Sequence, residues 1–582
     1  LRLTFHQVTA GTTIRVDEVH RGRCAQRRAR LLAGAGAATG LTLAFCGAAQ
    51  AADITVNSLA DPSDPGRTTL RDAVNQADAA PDPDRILFAS GLTGTISLAP
   101  SSGALQVTGP TNIQAPGPGV LSIDGQRNDR DFYVGAGPGS AVTISGLRMT
   151  GGLASSGFPA GGAVASPMGA TLTLANDVMT GNRGAFGGGA VAADGKVTIR
   201  SSTITGNSAS GVTPPGSYGF GGGVFVAEIG AGPSTTLIEA STISGNSANS
   251  LGGGAALQGD ASVVNSTVFG NTSGNQGGGV LVAGPNYSNE PPTNATLSSS
   301  TVSGNTSSRT GGFGQYVPDP ANPNPNVPEA VTLSNSVVSN NSASVGADVG
   351  GTIRVGFTLI GNRAGATITE QPAGSNLFGV DPQLGPLSSN GGPTQTLAPA
   401  PTSPVIDQGL TSLPSDQIGN SRPFEVVGIA NAPGGNGADM GAVEDHIPPQ
   451  FCASSPSTIA GTSQPDNLKG TKAADTVVSR RAADKVRTLA GDDVICAGGG
   501  KDRVNGGSGA DRILGQFGND RLVGAAGKDR ISGGSGNDLL LTRDGIRDRV
   551  RCGPGRDVVK ADDKDVVDGG CEHVSRAPAS SG

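Results

Sequence analysis

Short runs of alternating apolar and polar residues, cut apart by glycine clusters, make up most of the chain. In Thr171-Leu-Thr-Leu174, Lys196-Val-Thr-Ile199 and Thr203-Ile-Thr205, the apolar residues Leu172, Leu174, Val197, Ile199 and Ile204 are separated by threonine. A period of two is that of a strand with one buried face, so these five side chains are predicted to point inward. From about residue 140 to 365 one phrase returns: Ser202-Thr-Ile-Thr-Gly-Asn207, Ser241-Thr-Ile-Ser-Gly-Asn246, Ser266-Thr-Val-Phe-Gly-Asn271 and Ser300-Thr-Val-Ser-Gly-Asn305, with degenerate copies ending at Asn182 and Asn341. A glycine cluster and an apolar run follow, as in Gly187-Gly-Gly-Ala-Val191 and Gly221-Gly-Gly-Val-Phe225. Asn182 to Asn207 and Asn246 to Asn271 are both 25 residues, and longer intervals hold Pro-rich insertions at 213–217 and 286–293.

A coil of that length holds three short strands joined by turns and cannot bury its apolar face alone, so the coils must stack. About ten coils at roughly 4.8 Å predict a rod near 50 Å long. Asparagine at the same turn of each coil is predicted to bond to the coils on either side, satisfying turn backbone groups; the alternative is a row of ligand-binding amides. The pattern resembles the right-handed parallel β-helix family, which includes pectate lyases and many bacterial surface proteins. Residues 54–59, 69–77 and 84–88 read as strand, helix, strand, and resemble the cap such proteins carry against edge pairing. Phe378-Gly-Val-Asp-Pro-Gln-Leu-Gly-Pro-Leu387, Asn390-Gly-Gly-Pro-Thr394, Ser403-Pro-Val-Ile-Asp407 and Asp439-Met-Gly-Ala-Val-Glu444 resemble the choice-of-anchor Q domain, which implies surface attachment and no reaction.

Beyond residue 460 the beat changes. Asp466, Asp475, Asp484, Asp493, Asp502, Asp511, Asp520, Asp529 and Asp538 fall every nine residues, each with an aliphatic side chain two positions later. The best copies, Gly506-Gly-Ser-Gly-Ala-Asp511-Arg-Ile513 and Gly533-Gly-Ser-Gly-Asn-Asp538-Leu-Leu540, resemble the calcium-binding β-roll repeat of the RTX family. Each repeat supplies a turn and a short strand, half a coil, so aspartates eighteen residues apart stack into two columns. Unit charges about 4.8 Å apart repel by roughly 1 kcal/mol in water, and a divalent cation between coils turns repulsion into binding. Carboxylate and turn carbonyl oxygens suit calcium. The metal residues named on this basis are Asp493, Asp502, Asp511, Asp520, Asp529 and Asp538, with the fourth-position glycines Gly500, Gly509, Gly518, Gly527 and Gly536. Arg503, Arg512, Arg521 and Arg530 are the competing source of neutralisation, but each precedes an inward aliphatic and so is predicted to face outward. The first three repeats have Gln464, Ala473 and Ala482 at the fourth position, which weakens their sites. After Asp538 the register slips, and Asp548, Asp557 and Asp565 read as a closing segment.

Composition narrows the function. The 582 residues include 94 Gly, no Trp and 3% aromatics, with a net charge of -7; the acidic balance and the lack of a visible basic patch argue against nucleic acid as a partner. Hydrophobic residues at 36%, recurring at strand spacing, argue against a disordered chain. Arg21, Arg23, Arg27, Arg28 and Arg30, an apolar stretch at 31–47 and Ala49-Gln-Ala51 form the order of a secretory signal, with cleavage expected after about Ala51; the stretch is short and weakly apolar for a membrane anchor. The first twenty residues, beginning at Leu1, read as a mis-set start. Export leaves Cys452, Cys496, Cys552 and Cys571, for which the pairs Cys452–Cys496 and Cys552–Cys571 are favoured over a zinc site.

The expected fold is all-β, a right-handed parallel β-helix followed by an RTX β-roll. The expected divisions are 1–51 extension and signal, 52–135 cap and first coils, 136–375 β-helix, 376–450 choice-of-anchor Q-like region, 451–541 β-roll and 542–582 closing segment. The expected role is a secreted or cell-surface, adhesin-like calcium protein without catalysis, in contact with extracellular glycans or a host surface. The alternative is a polysaccharide lyase or glycoside hydrolase. For that enzyme the nearest carboxylates, Asp177 and Asp194, read as solvated turn charges, and aromatic platforms for sugars are scarce. A third reading is an ice- or surface-binding face on Thr203, Thr242, Thr267 and Thr301.

Overall fold

Backbone pairing shows why the 25-residue phrase makes a coil. Thr171–Ala175 lies on Lys196–Arg200 residue for residue at an offset of 25, and Thr242–Ser244 lies on Thr267–Phe269 at the same offset. The computed structural model describes residues 3–8, 11–16 and 52–577, apart from 80–81, 156–159, 211–218, 229–232, 284–292, 317–329, 401–402, 425–430, 445–450, 453–454, 457, 463–464, 480–481, 554 and 569. The signal segment and most of both Pro-rich insertions lie outside the described residues. Leu3–Val8 and Gly11–Val16 form an antiparallel pair in a unit of their own.

The coils present three parallel faces. One carries five-residue strands such as Ala141–Ser145, Thr171–Ala175, Lys196–Arg200 and Thr235–Glu239. The second is an eleven-stranded sheet that includes Arg148–Thr150, Val178–Thr180, Thr203–Thr205 and Thr301–Ser303. The third contains Val164–Ser166, Val191–Asp194, Val224–Ala227 and Ala255–Gln258. Leu172, Leu174, Val197, Ile199 and Ile204, the inward five, are buried in one continuous core. The glycine clusters lie where neighbouring coils pack backbone on backbone: a Cβ on Gly253 would stand 2.4 Å from the Gly278 carbonyl oxygen.

The cap contains the helix Leu70–Asp78. Thr69 accepts from the Asp72 N–H while the Asp72 carboxylate accepts from the Thr69 N–H, and Leu70, Ala73, Val74 and Ala77 are buried. Described residues between 394 and 442 lie against the outside of the second face. Thr242 donates to the Gln395 carbonyl at 2.5 Å, Thr267 to Gln417 Oε1 at 2.7 Å, and Thr301 accepts from the Ala442 N–H at 3.0 Å. Three of the four threonines of the proposed ice-binding row are therefore sealed beneath this segment, which removes the flat exposed array that reading required. A buried pair, Arg422 and Glu444 at 2.8 Å, pins the segment's end, and Glu444 also accepts from the Asp439 and Phe424 N–H groups.

From Ile459–Ala460 to His573–Ala577 the chain alternates between two seven-stranded parallel sheets, each strand resting on the one eighteen or nineteen residues away through most of the stack. Val486, Ile495, Val504, Ile513, Leu522, Ile531 and Leu540 fill the space between the sheets. The sheets do not stop at residue 541: Arg549–Arg551, Val558–Asp562, Val566–Val567 and His573–Ala577 continue them. The extra residue before Asp548 is absorbed in a turn, which is why the register slip in sequence does not end the stack. Cys552 and Cys571 are bonded as expected, and Cys496 is also disulfide-bonded; the Cys452 side chain lies outside the described residues.

Candidate metal centre

Each sixth-position aspartate of the roll is placed by its own backbone. Its carbonyl accepts the N–H of the seventh residue one coil on, as in Arg503 to Asp484 and Arg521 to Asp502, both at 2.8 Å. Its N–H donates to Oδ1 of the aspartate one coil on. Asp484 donates to Asp502, Asp502 to Asp520 and Asp520 to Asp538, at 2.8–2.9 Å. Asp475 donates to Asp493, Asp493 to Asp511 and Asp511 to Asp529, at 2.7–2.9 Å. Two inward columns of carboxylates result, at the spacing the nine-residue period demands.

One oxygen of each carboxylate is thereby satisfied and the other is not. Oδ2 of Asp484, Asp493, Asp502, Asp511, Asp520, Asp529, Asp538, Asp548 and Asp557 is buried without a hydrogen-bond partner. Burial raises the carboxyls: Asp520 and Asp548 to about 8, Asp484 and Asp502 to about 7, and Asp511, Asp529 and Asp538 to about 6. Neighbouring column members add to the rise, Asp502 and Asp538 acting on Asp520. A buried carboxylate without a donor or cation is costly, so the columns call for protons or metal.

The space beside the orphan oxygens discriminates between repeats. A Cβ on the first-position glycines Gly506, Gly515, Gly524 and Gly533 would stand 2.3–2.8 Å from Oδ2 of Asp511, Asp520, Asp529 and Asp538. Carbonyl oxygens of the next coil, those of Gly524, Gly533 and Cys552, lie near three of the same points. This is an all-oxygen cradle that a side chain would fill, and it fits a hard cation such as calcium. Asp511, Asp520, Asp529 and Asp538, with turn carbonyls, would hold it. Ala497, Thr488 and Ser479 occupy the first position before Asp502, Asp493 and Asp484.

The fourth-position glycines named from sequence serve the stacking. Gly500, Gly509, Gly518, Gly527 and Gly536 have φ between +120° and +151°, and a Cβ on each would stand 1.6–2.3 Å from a carbonyl oxygen one coil away. The weakness of the first two repeats has a physical cause. Thr462 and Thr471 donate both N–H and O–H to Oδ2 of Asp466 and Asp475, leaving nothing for a cation to satisfy. Asp484, grouped with them by its Ala482, instead joins the column. Asp548 and Asp557, read as parts of a closing segment, also join it. The signal for Asp557 is Cys552-Gly-Pro-Gly-Arg-Asp557, a repeat with cysteine in the first glycine's place. Arg503, Arg512, Arg521 and Arg530 are exposed, as expected, and leave the columns unneutralised.

The β-helix carries ladders of another kind. The Asn207 N–H and amide donate to Asn246 Oδ1, and the relation repeats through Asn271, Asn305 and Asn341 to the Asp348 carboxylate. A serine ladder, unrecognised in the sequence, runs beside it: the N–H of Asp177, Ser202, Ser241, Ser266 and Ser300 each donates to the hydroxyl of the next serine. The asparagines are buried, so they are scaffold rather than a ligand row. Asp177 and Asp194 are buried too, not solvated turn charges; Asp177 accepts from the Leu147 and Ala175 N–H groups.

A family model described as the RTX calcium-binding nonapeptide repeat, four copies, matches residues 469–504, 480–513 and 505–540. This stretch of the chain thus consists of RTX calcium-binding repeats, and its metal is calcium. No curated protein matches the sequence. Among solved structures, the pectate lyase Pel9A aligns at 15% identity and TM-score 0.34, covering 68% of this chain and 97% of its own. The PL6 family alginate lyase AlyGC aligns at 12% identity and TM-score 0.28, covering 90% of this chain and 78% of its own. The β-helix stands on the strand pairing itself. Among the described residues, no helix is long and apolar enough to cross a membrane.

Proposed function

We propose that the protein is an exported, non-catalytic surface scaffold whose roll is folded by calcium outside the cell. The observation that carries this is the pair of buried aspartate columns, each with one carboxylate oxygen left over in a sequence that matches calcium-binding repeats. Calcium is scarce inside cells and plentiful outside, so such columns favour an open roll before export and a stacked one after it. The charged, apolar and Ala49-Gln-Ala51 order at 21–51 supports secretion, and the motifs of 376–444 support a choice-of-anchor Q-like attachment region. In the β-helix the repeated polar side chains are spent on ladders and the threonine row is covered, which supports a scaffold over an enzyme.

The test is calcium titration of the full chain followed by circular dichroism and thermal melting. Millimolar calcium should add β signal and raise one melting transition, while the β-helix transition stays in place. At a hundred times the dissociation constant each site contributes about 2.7 kcal/mol. Identical spectra and melts in calcium and in chelator would exclude the reading.

A further inference from the structure

Charge on the roll is sorted by depth. The sixth-position aspartates point inward, whereas the seventh-position residues stand on the outer faces. In one sheet Lys485, Arg503 and Arg521 are in-register neighbours on adjacent strands; in the other, Arg512, Arg530 and Arg549 are. All six are exposed, and the ion pairs among the described residues leave all six out. The seventh and ninth positions of the strands between 467 and 551 hold no carboxylate and no aromatic residue. Residues 459–577 contain 20 of the chain's 40 Lys and Arg against 18 Asp and Glu, and nine of those 18, the column aspartates from Asp484 to Asp557, are buried. The net charge of -7 therefore conceals a basic surface, and the expectation that no such patch exists is corrected.

Like charges set directly opposite on neighbouring strands repel. Two rows of cations at the strand spacing of about 4.8 Å are relieved by a ligand that offers an anion to each rung. We propose that each of these two ladders, on opposite faces of the roll, is a docking surface for a linear carboxylated polysaccharide, a uronate chain whose carboxylates meet successive rungs. Guanidinium groups match carboxylates bidentately, and a sugar chain with one carboxylate per ring repeats at about the width of a strand. Nucleic acid fits less well. The ladders lack the aromatic platforms on which bases stack. The ladders exist only where the coils are stacked, so the inference rests on the calcium reading, and uronate capture follows calcium.

The full chain is titrated calorimetrically at saturating calcium with hexagalacturonate, with its methyl ester and with single-stranded oligodeoxythymidine. The acid should bind, more weakly as salt rises, and the ester should not. Arg503→Glu with Arg521→Glu, and Arg512→Glu with Arg530→Glu, should each lose the binding of one face, about half of the stoichiometry. The corresponding Arg→Lys pairs should recover most of it, with calcium-induced circular dichroism unchanged in every variant. Equal binding of the ester, preference for the oligonucleotide, or full stoichiometry in both charge-reversed variants would overturn the proposal. Calcium-induced folding without uronate binding overturns this inference alone, whereas no calcium-induced folding in the parent overturns the reading beneath it.

Discussion

The β-helix and the β-roll solve one problem with different side chains. In both, a polar residue at a fixed turn position reaches the preceding coil and accepts its backbone N–H. In the helix that residue is asparagine, whose amide also donates, so Asn271 is complete: it gives to the Ile243 carbonyl and to Asn305 Oδ1, both at 2.9 Å. In the roll it is aspartate, which only accepts, so from Asp484 to Asp557 half of each column carboxylate is left over. Exchanging NH2 for O turns a self-sufficient ladder into one that needs a cation.

The largest test of that contrast is pH. The roll's carboxyls are raised by burial, so between pH 4 and 8 the metal-free folded roll holds protons that the unfolded chain has released. Stability is then fully present near pH 4 and lost as pH climbs through about 6 to 8. In chelator, the roll's melting temperature should fall by about 10 °C or more from pH 5 to pH 8, with the β-helix transition unmoved. Saturating calcium should abolish the fall, and calcium affinity should weaken below pH 6 because protons compete. A flat profile in chelator would mean the columns are relieved by something other than protons.

Next in size is the change that imports the roll's chemistry into the helix. Asn271→Asp removes two donated hydrogen bonds and buries a charge, and should cost the β-helix about 3 kcal/mol or more, read by denaturant unfolding and not rescued by calcium. A loss under about 1 kcal/mol would show that the asparagine ladder does not hold the coils. The smallest effect belongs to the reverse exchange. Asp520→Asn should leave the roll as stable as the parent in chelator, or more stable by about 1 kcal/mol, and should lower the calcium stoichiometry measured by calorimetry. Loss of stability in chelator would contradict the assignment of Asp520 as an uncompensated charge.

Much of this was legible in the chain. The two-residue alternation places Leu172 and Ile199 inside, and the nine-residue beat puts Asp502, Asp511 and Asp520 in columns, because both depend only on strand geometry. Relations between coils were not legible. Ser202 and Ser241 look like ordinary strand edges until stacking brings one hydroxyl to the next backbone, and Gly506 differs from Gly509 only in which face of the turn it opens. The outward face of Arg503, Arg512, Arg521 and Arg530 was legible, but the basic surface they make was not, because a sum of charges carries no depth. The cover over Thr242 and Thr267 comes from residues about 150 positions away, a distance no local pattern spans.

All three ladders also share a direction. Every N–H hands its hydrogen toward the C-terminus, Asn305 to Asn341, Ser266 to Ser300, Asp538 to Asp557; Asp348 closes the asparagine ladder, and Asp565 and Glu572 close the two aspartate columns. Trimming either array from its front bares acceptors, and trimming it from its back bares donors. A coil added at the back must therefore bring an acceptor for the rung before it, and one added at the front must bring a donor.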